Sequence, residues 1–100
     1  MINDNTLNFI RFSSGFNNLK KEELEAFAEN EIFELNEYNA SEGTKGKYFY
    51  TLEDVNTNGT LKSYIIECLK LSLQTRWGNN LEYHIDRKTK YLNKLTGMQA

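Results

Sequence analysis

The amino-acid sequence predicts an α+β fold, in which a small antiparallel sheet carries two helices packed on one face. Three observations favour it: the chain has 100 residues, 39% of them are apolar, and the apolar residues follow a strand period in some segments and a helix period in others. This length and apolar content suit one modest core. We therefore expect one compact domain over residues 1–100.

A short strand is predicted over residues 7–12. Aliphatic and aromatic side chains fall on both sides of the alternating pattern in this segment, a composition that is typical of strands. The sequence Ser13-Ser14-Gly15 follows and favours a turn.

A helix is predicted from near Leu19 through Glu29. Asn17 and Asn18 are of the residue type that caps helices, and apolar residues then recur at helical spacing. The inward-facing set comprises Leu24, Phe27, Ala28, Ile32 and Leu35. Residues 31–38 could continue this helix or begin a strand, and the asparagines that bracket them favour the strand.

A further strand is predicted over residues 47–55, which include two tyrosines, a phenylalanine and a valine. A loop with two glycines precedes this segment, and residues 56–59 turn the chain after it.

Two interpretations stay open for residues 60–77. Polar residues line up on one helical face at Ser63, Glu67, Lys70 and Gln74. They predict a helix that is buried on most of its circumference and ends at Gly78. The pair Asn58-Gly59, followed by leucines at alternate positions, instead indicates a hairpin strand.

The C-terminal part completes the predicted order of elements. Residues 81–86 alternate between apolar and polar side chains, as a half-buried strand does, and residues 90–96 are predicted to form a short last helix. The resulting order of strand, helix, strand, strand, helix and strand is the ferredoxin-like βαββαβ arrangement.

Composition excludes several classes of protein. The formal net charge of -2 is too small and of the wrong sign for a molecule that binds nucleic acid over its whole surface. Cys68 is the only cysteine, so it favours a reducing compartment over a disulfide-linked secreted fold. The first residues lack the pattern of a secretory signal, and no apolar run approaches the ~20 residues that span a bilayer. We expect a cytoplasmic protein with no membrane partner.

The charges are distributed unevenly along the chain. Residues 22–42 contain eight glutamates and no lysine or arginine, whereas residues 61–100 contain seven basic residues and three acidic ones. The residues predicted to bind a partner are Glu22, Glu25, Glu29, Glu34 and Glu37. Like charges four positions apart destabilise a helix slightly, and a partner protein with a basic surface would relieve that repulsion.

The function predicted from these observations is that of a small, non-enzymatic protein-binding module. Phages, plasmids and toxin operons encode modules of this kind as inhibitors or immunity factors, and the prediction depends largely on elimination, since no sequence motif identifies the partner. The helix predicted over residues 61–77 has apolar residues around most of its circumference, which is also compatible with a homodimer.

The alternative function is a nucleic-acid-binding domain. Its basic and aromatic residues would be Arg76, Trp77, Arg87, Lys88 and Lys90. A groove that tracks phosphates and stacks bases uses these residue types.

Two further patterns have weaker chemical content. His84 lies between Glu82 and Asp86 and could act as a general base, but no nucleophile or metal motif accompanies it. Residues 54–61 resemble the first half of an EF-hand calcium loop, whereas Ile65 stands where that family has a bidentate glutamate. We therefore predict no catalytic residue, no metal site and no cofactor, and we interpret the turn as one capped by its own side chains.

Overall fold

The computed structural model describes residues 1–41, 49–76 and 90–91. Three α-helices occupy most of this part of the chain: α1 is Asp4–Ser14, α2 is Lys21–Ser41 and α3 is Gly59–Arg76, with a short 3-10 helix at Leu52–Asn56 before α3. The predicted α+β fold is wrong, because the described residues form helices and contain no strand that could build an antiparallel sheet.

The predicted strand over residues 7–12 is part of helix α1. The helix begins where the side chain of Asn3 accepts a hydrogen bond from the N–H of Thr6 at 2.9 Å. It ends at Gly15, whose left-handed backbone (φ 85°) lets its N–H donate to the carbonyl of Arg11 at 3.1 Å. Between these caps the buried positions are Thr6, Leu7, Ile10 and Ser14. This spacing is helical, and it overrides the strand propensity of the aromatic residues.

Helix α2 is confirmed where it was predicted and extends farther. Leu24, Ala28, Ile32 and Leu35 of the predicted inward-facing set are buried, and Phe27 packs against the core while remaining partly exposed. The preference for a strand over residues 31–38 is wrong, because the buried positions keep helical spacing as far as Asn39. Packing along one face of the helix outweighs the weak preference of asparagine for turns.

Within the described residues, the strand predicted over 47–55 is also wrong. Residues 49–51 are non-helical, and the 3-10 helix begins where the carboxylate of Asp54 accepts the N–H of Thr51 at 2.7 Å. The carbonyl of Asp54 in turn accepts the N–H groups of Thr57 and Asn58 at 3.2 and 2.9 Å. One aspartate therefore satisfies the backbone of a tight turn that a continuous strand could not form.

The helical interpretation of residues 60–77 is confirmed as far as Arg76, and the hairpin interpretation is wrong. Asn58 caps α3, because its Oδ1 accepts the N–H of Leu61 at 3.0 Å. The buried residues of α3 cover most of its circumference: Leu61, Tyr64, Ile65, Ile66, Cys68, Leu69 and Leu71. Gly78, the predicted cap, lies outside the described residues.

Helix α3 is the centre of the packing. The other two helices and the 3-10 helix all contact it, and the fully buried side chains Ile2, Ile10, Leu35 and Val55 join its apolar residues in one core. The arrangement leaves one side of α2 facing away from the core.

Two other predictions concern the C-terminal part. The strand predicted over residues 81–86 lies outside the described residues. Residues 90 and 91 are helical, and the rest of the helix predicted over 90–96 also lies outside. None of the helices in the described ranges combines the length and the apolar character needed to cross a membrane.

Candidate functional site: the outer ridge of helix α2

The side of α2 that faces away from the core forms a regular ridge. Its six residues are Glu22, Ala26, Glu29, Phe33, Glu37 and Ala40, and all six are exposed. They are spaced four, three, four, four and three positions apart, so at 100° per residue they fall within an arc of about 80°. We call this set the outer ridge. It lies opposite the buried positions, and no core contact accounts for its side chains.

Phe33 is the unusual member of the outer ridge. Its side chain is 63% exposed. A charged residue such as glutamate is more usual than phenylalanine at a position this exposed. Glu29 and Glu37 lie four residues before and four residues after it, so both are its neighbours on the helix surface. The centre of the ridge is therefore an aromatic ring between two carboxylates.

A second exposed phenylalanine precedes a residue that is bonded to α2. Asn36 follows Phe33 by three positions, and its side-chain amide pairs with the backbone of Tyr50, donating to the carbonyl at 2.8 Å and accepting the N–H at 3.0 Å. The residue before Tyr50 is Phe49, which is 72% exposed. These two hydrogen bonds hold Tyr50 against α2, whereas Phe49 lines a surface depression with Asp54, Thr57 and Asn58.

The five glutamates that were predicted to bind a partner do not all lie on the outer ridge. Glu22, Glu29 and Glu37 lie together on the outer ridge. Glu25 does not, because its Oε2 accepts the backbone N–H of Ile2 at 2.9 Å, which gives it a structural role at the start of α1. Glu34 is exposed on the flank of the ridge, where Asn30 donates to its carboxylate at 3.4 Å.

The three ridge carboxylates differ in whether the helix stabilises their negative charge. Glu22 lies in the first turn of α2, where the helix dipole favours a negative charge. No such benefit reaches Glu29 or Glu37, and the last turn of α2 has no basic residue. Among the described residues, the side-chain ion pairs are Lys21 with Asp4 at 3.7 Å and Lys70 with Glu67 at 3.6 Å, and neither involves the ridge. Within residues 1–41 and 49–76, therefore, no basic side chain forms an ion pair with Glu22, Glu29 or Glu37.

The turn that resembles a calcium loop uses its oxygens differently. Asp54 accepts the N–H of Thr51, as described above, and Asn58 accepts that of Leu61. The Oδ1 of Asn56 accepts the N–H of Asn3 at 2.8 Å. Each of the three side chains thus binds backbone N–H groups, and within the described ranges no three histidine, cysteine or acidic side chains converge as a metal site would need.

One buried polar contact joins α2 to α3. The hydroxyl of Tyr64 donates to Oε1 of Glu31 at 3.2 Å, and both side chains are buried. Burial raises the pKa of Tyr64 well above its usual value, and the neighbouring Cys68 and Glu31 raise it further. A phenol that holds its proton this firmly donates a hydrogen bond to the carboxylate and is a poor acid or nucleophile.

The residues of the alternative nucleic-acid site are mostly outside the described part of the chain. This holds for Trp77, Arg87 and Lys88, and also for His84. Arg76 ends α3, and Lys90 is an exposed residue of the helical pair 90–91. The nucleic-acid alternative stays a prediction.

Sequence reasoning found the acidic charge of α2 but missed both phenylalanines. Phe33 was the available signal, because it falls outside the inward-facing set at helical spacing and therefore had to face solvent in a continuous helix. Because a strand was favoured over residues 31–38, the exposure of Phe33 was not predicted.

Comparison with known proteins gave no match: no family model fits the chain, and neither the curated proteins nor the solved structures include one that is significantly similar to it.

Proposed function

We propose that this protein is a non-enzymatic binding module that docks to a basic partner protein through the outer ridge of α2. Phages, plasmids and toxin operons encode inhibitors and immunity factors of this type, and the proposal places the protein in the cytoplasm. The observation that carries it is the exposed ring of Phe33 between Glu29 and Glu37.

The aromatic ring supplies the affinity in this proposal. Aromatic side chains that enter a pocket on the partner dominate many interfaces, and truncating such an anchor costs about 2 kcal/mol or more of binding free energy. Phe33 exposes most of its surface before binding, so the area that it removes from water on docking is large.

The carboxylates supply orientation and speed. Opposite charges on two surfaces steer their encounter and raise the association rate above the ~10⁵ to 10⁶ M⁻¹s⁻¹ of uncharged surfaces. Glu29 and Glu37 are on both sides of the anchor, so a partner with a basic residue on each side of its pocket would also be aligned along α2.

Affinity capture on the immobilised full-length chain tests the proposal, with retained host proteins quantified by mass spectrometry. Phe33→Ala should lower retention of the partner at least tenfold. Phe12→Ala is the matched control, because Phe12 is an equally apolar side chain on α1 that is 85% exposed. Equal loss in both variants, or in neither, contradicts a role for the ridge.

Charge is tested by a second matched pair. Glu29→Gln with Glu37→Gln removes two negative charges from the ridge, and Asn5→Lys with Asn8→Lys adds two positive charges on the exposed side of α1. The net charge of the protein changes equally in both. Only the ridge variant should lower the association rate and its dependence on salt. Equal effects would mean that net charge, and not the ridge, attracts the partner.

A further inference from the structure

We propose that the part of the partner which contacts the outer ridge is a single α-helix that lies along α2. This inference rests on the proposed function and names the kind of surface that the ridge recognises. It also gives a residue pattern for that helix: a small residue opposite Phe33, a basic residue opposite each of Glu29 and Glu37, and a large apolar residue opposite each of Ala26 and Ala40.

The outer ridge is straight and narrow. Its first and last residues are 18 positions apart and are joined by five steps, so the mean step is about 3.6 residues, which is one turn of an α-helix. The ridge therefore runs parallel to the axis of α2 for about 27 Å, within an arc of about 80°. Two helices that pack side by side at a small crossing angle contact each other over a strip of this kind.

Polar residues border the ridge on both sides. Asn30 and Glu34 are exposed on one side. Glu25 and Asn36 lie on the other side, where their side chains accept backbone N–H groups of other segments. A broad surface, such as the face of a β-sheet, would cover these polar groups together with the ridge and remove them from water. The side of a second helix is narrow enough to contact the ridge alone.

The backbone groups of α2 are already bonded along the ridge. Between Ala26 and Glu37 the chain is one continuous α-helix, whose N–H and C=O groups bind each other. An extended segment laid on this surface would find no backbone partner there, so its own N–H and C=O groups would be buried unsatisfied. A helix satisfies its own backbone and brings only side chains to the contact.

The order of the ridge side chains determines the pattern on the partner helix. Counted from Phe33, a glutamate lies four positions away and an alanine lies seven positions away in each direction. On a helix that lies alongside, the residues at the same heights are also four and seven positions from the residue opposite Phe33. A small residue at the centre makes room for the ring, lysine or arginine pairs with each carboxylate, and a residue such as leucine fills the space above each alanine.

A second copy of α2 does not have this pattern. Bound through the same ridge, it would place Phe33 against Phe33 and a glutamate against each glutamate. Like charges that face each other across an interface are costly. The occupant of the ridge is therefore a helix of another protein.

Two synthetic peptides, stapled as helices and labelled with fluorescein, test the pattern. The first has alanine at its centre, with arginine four positions away and leucine seven positions away on each side. The second has the same composition, but its arginines lie two positions from the centre, on the opposite face of the helix. In fluorescence anisotropy with the full-length chain, the first peptide should bind at least tenfold more tightly. Phe33→Ala should weaken its binding at least tenfold, whereas Phe12→Ala should not. No binding by the first peptide, or equal binding of the two, overturns the inference.

Charge exchange with the host protein that the ridge retains gives an independent measurement. Glu29→Arg and Glu37→Arg should each lower its retention, and glutamate in place of one basic residue of that protein should restore it in each case. The two restoring residues should lie about eight positions apart in one segment, as the two glutamates do on α2, whereas an extended strand would place them about four apart.

The outcomes of charge exchange separate the two proposals. Restoring residues that are about four positions apart or in separate segments, or the absence of any restoring residue, overturn this inference. The proposed function still stands in those cases if Phe33→Ala lowers retention and Phe12→Ala does not. If no protein is retained through the ridge, the proposed function and this inference both fail.

Discussion

The side-chain amide of Asn36 pairs with both backbone polar groups of Tyr50. Its Nδ2 donates to the carbonyl oxygen at 2.8 Å, and its Oδ1 accepts the N–H at 3.0 Å. These are the two groups that a neighbouring strand would bind in a sheet. The side-chain amide of Asn56 likewise donates to the carbonyl of Met1 and accepts the N–H of Asn3, both at 2.8 Å. Asparagine side chains thus satisfy two non-helical segments in this helical protein.

The first prediction concerns that pair. Asn36→Ala removes both hydrogen bonds at once, and we expect it to lower the free energy of unfolding by about 1 to 3 kcal/mol in urea denaturation. Asn30→Ala, on the exposed side of the same helix, is the control and should change stability by less than ~0.5 kcal/mol. Equal effects at the two positions would contradict the importance of the pairing with Tyr50.

The second prediction compares two glycines. A methyl group added at Gly15 or at Gly59 meets no atom within 4 Å, but only Gly15 has a positive φ, of 85°. Gly15→Ala should therefore destabilise the protein by about 1 to 2 kcal/mol through backbone strain alone. Gly59 is the first residue of helix α3. Gly59→Ala should therefore be neutral or stabilising by up to ~1 kcal/mol. Thermal or urea unfolding of both variants measures the difference, and a reversed order would contradict it.

The third prediction is a pH dependence. The folded state raises the pKa of Tyr64 above the ordinary value of 10.0, so the unfolded chain loses this proton first as the pH rises. The stability that Tyr64 contributes is complete below pH 10 and is lost progressively above it, at up to about 1.4 kcal/mol per pH unit. Urea denaturation from pH 9 to 11.5 should therefore show a steeper loss of stability in the wild type than in Tyr64→Phe. Parallel curves would show that the phenol titrates normally.

The fourth prediction concerns calcium. The oxygens of Asp54, Asn56 and Asn58 bind backbone N–H groups, so ~10 mM calcium chloride should leave the melting temperature unchanged relative to sodium chloride of equal ionic strength. Asp54→Ala should lower stability by about 1 kcal/mol with or without calcium, since it removes a cap. A calcium-dependent rise of several degrees that Asp54→Ala abolishes would establish a metal site there.

The helical elements could be predicted where apolar spacing extends over several turns. Leu24, Ala28, Ile32 and Leu35 identified the buried side of α2, and Ser63, Glu67 and Lys70 identified the more exposed side of α3. The sheet was predicted wrongly because aromatic residues were taken as strand formers. Four of the phenylalanines are instead exposed, on helices or next to them: Phe9, Phe12, Phe33 and Phe49. Their frequency in the sequence was therefore not a sign of strands.

The pairing of Asn36 with Tyr50 could not be predicted. It joins residues that are 14 positions apart through a single side chain, and no period in the sequence records such a contact. The acidic half of the candidate site was visible because charge is a compositional property, whereas the aromatic half required the knowledge that α2 continues beyond Glu29.

The outer ridge and the core occupy opposite sides of α2 and share no residue. Substitutions on the ridge should change stability by less than ~0.5 kcal/mol each, and their effects should add to those of core substitutions. The proposed docking surface can therefore change at six positions without a compensating change in the interior. Related proteins could adapt to a changing target through successive substitutions at Glu22, Glu29, Phe33 and Glu37. The same four positions could be randomised in a library, from which variants that bind a new target are selected.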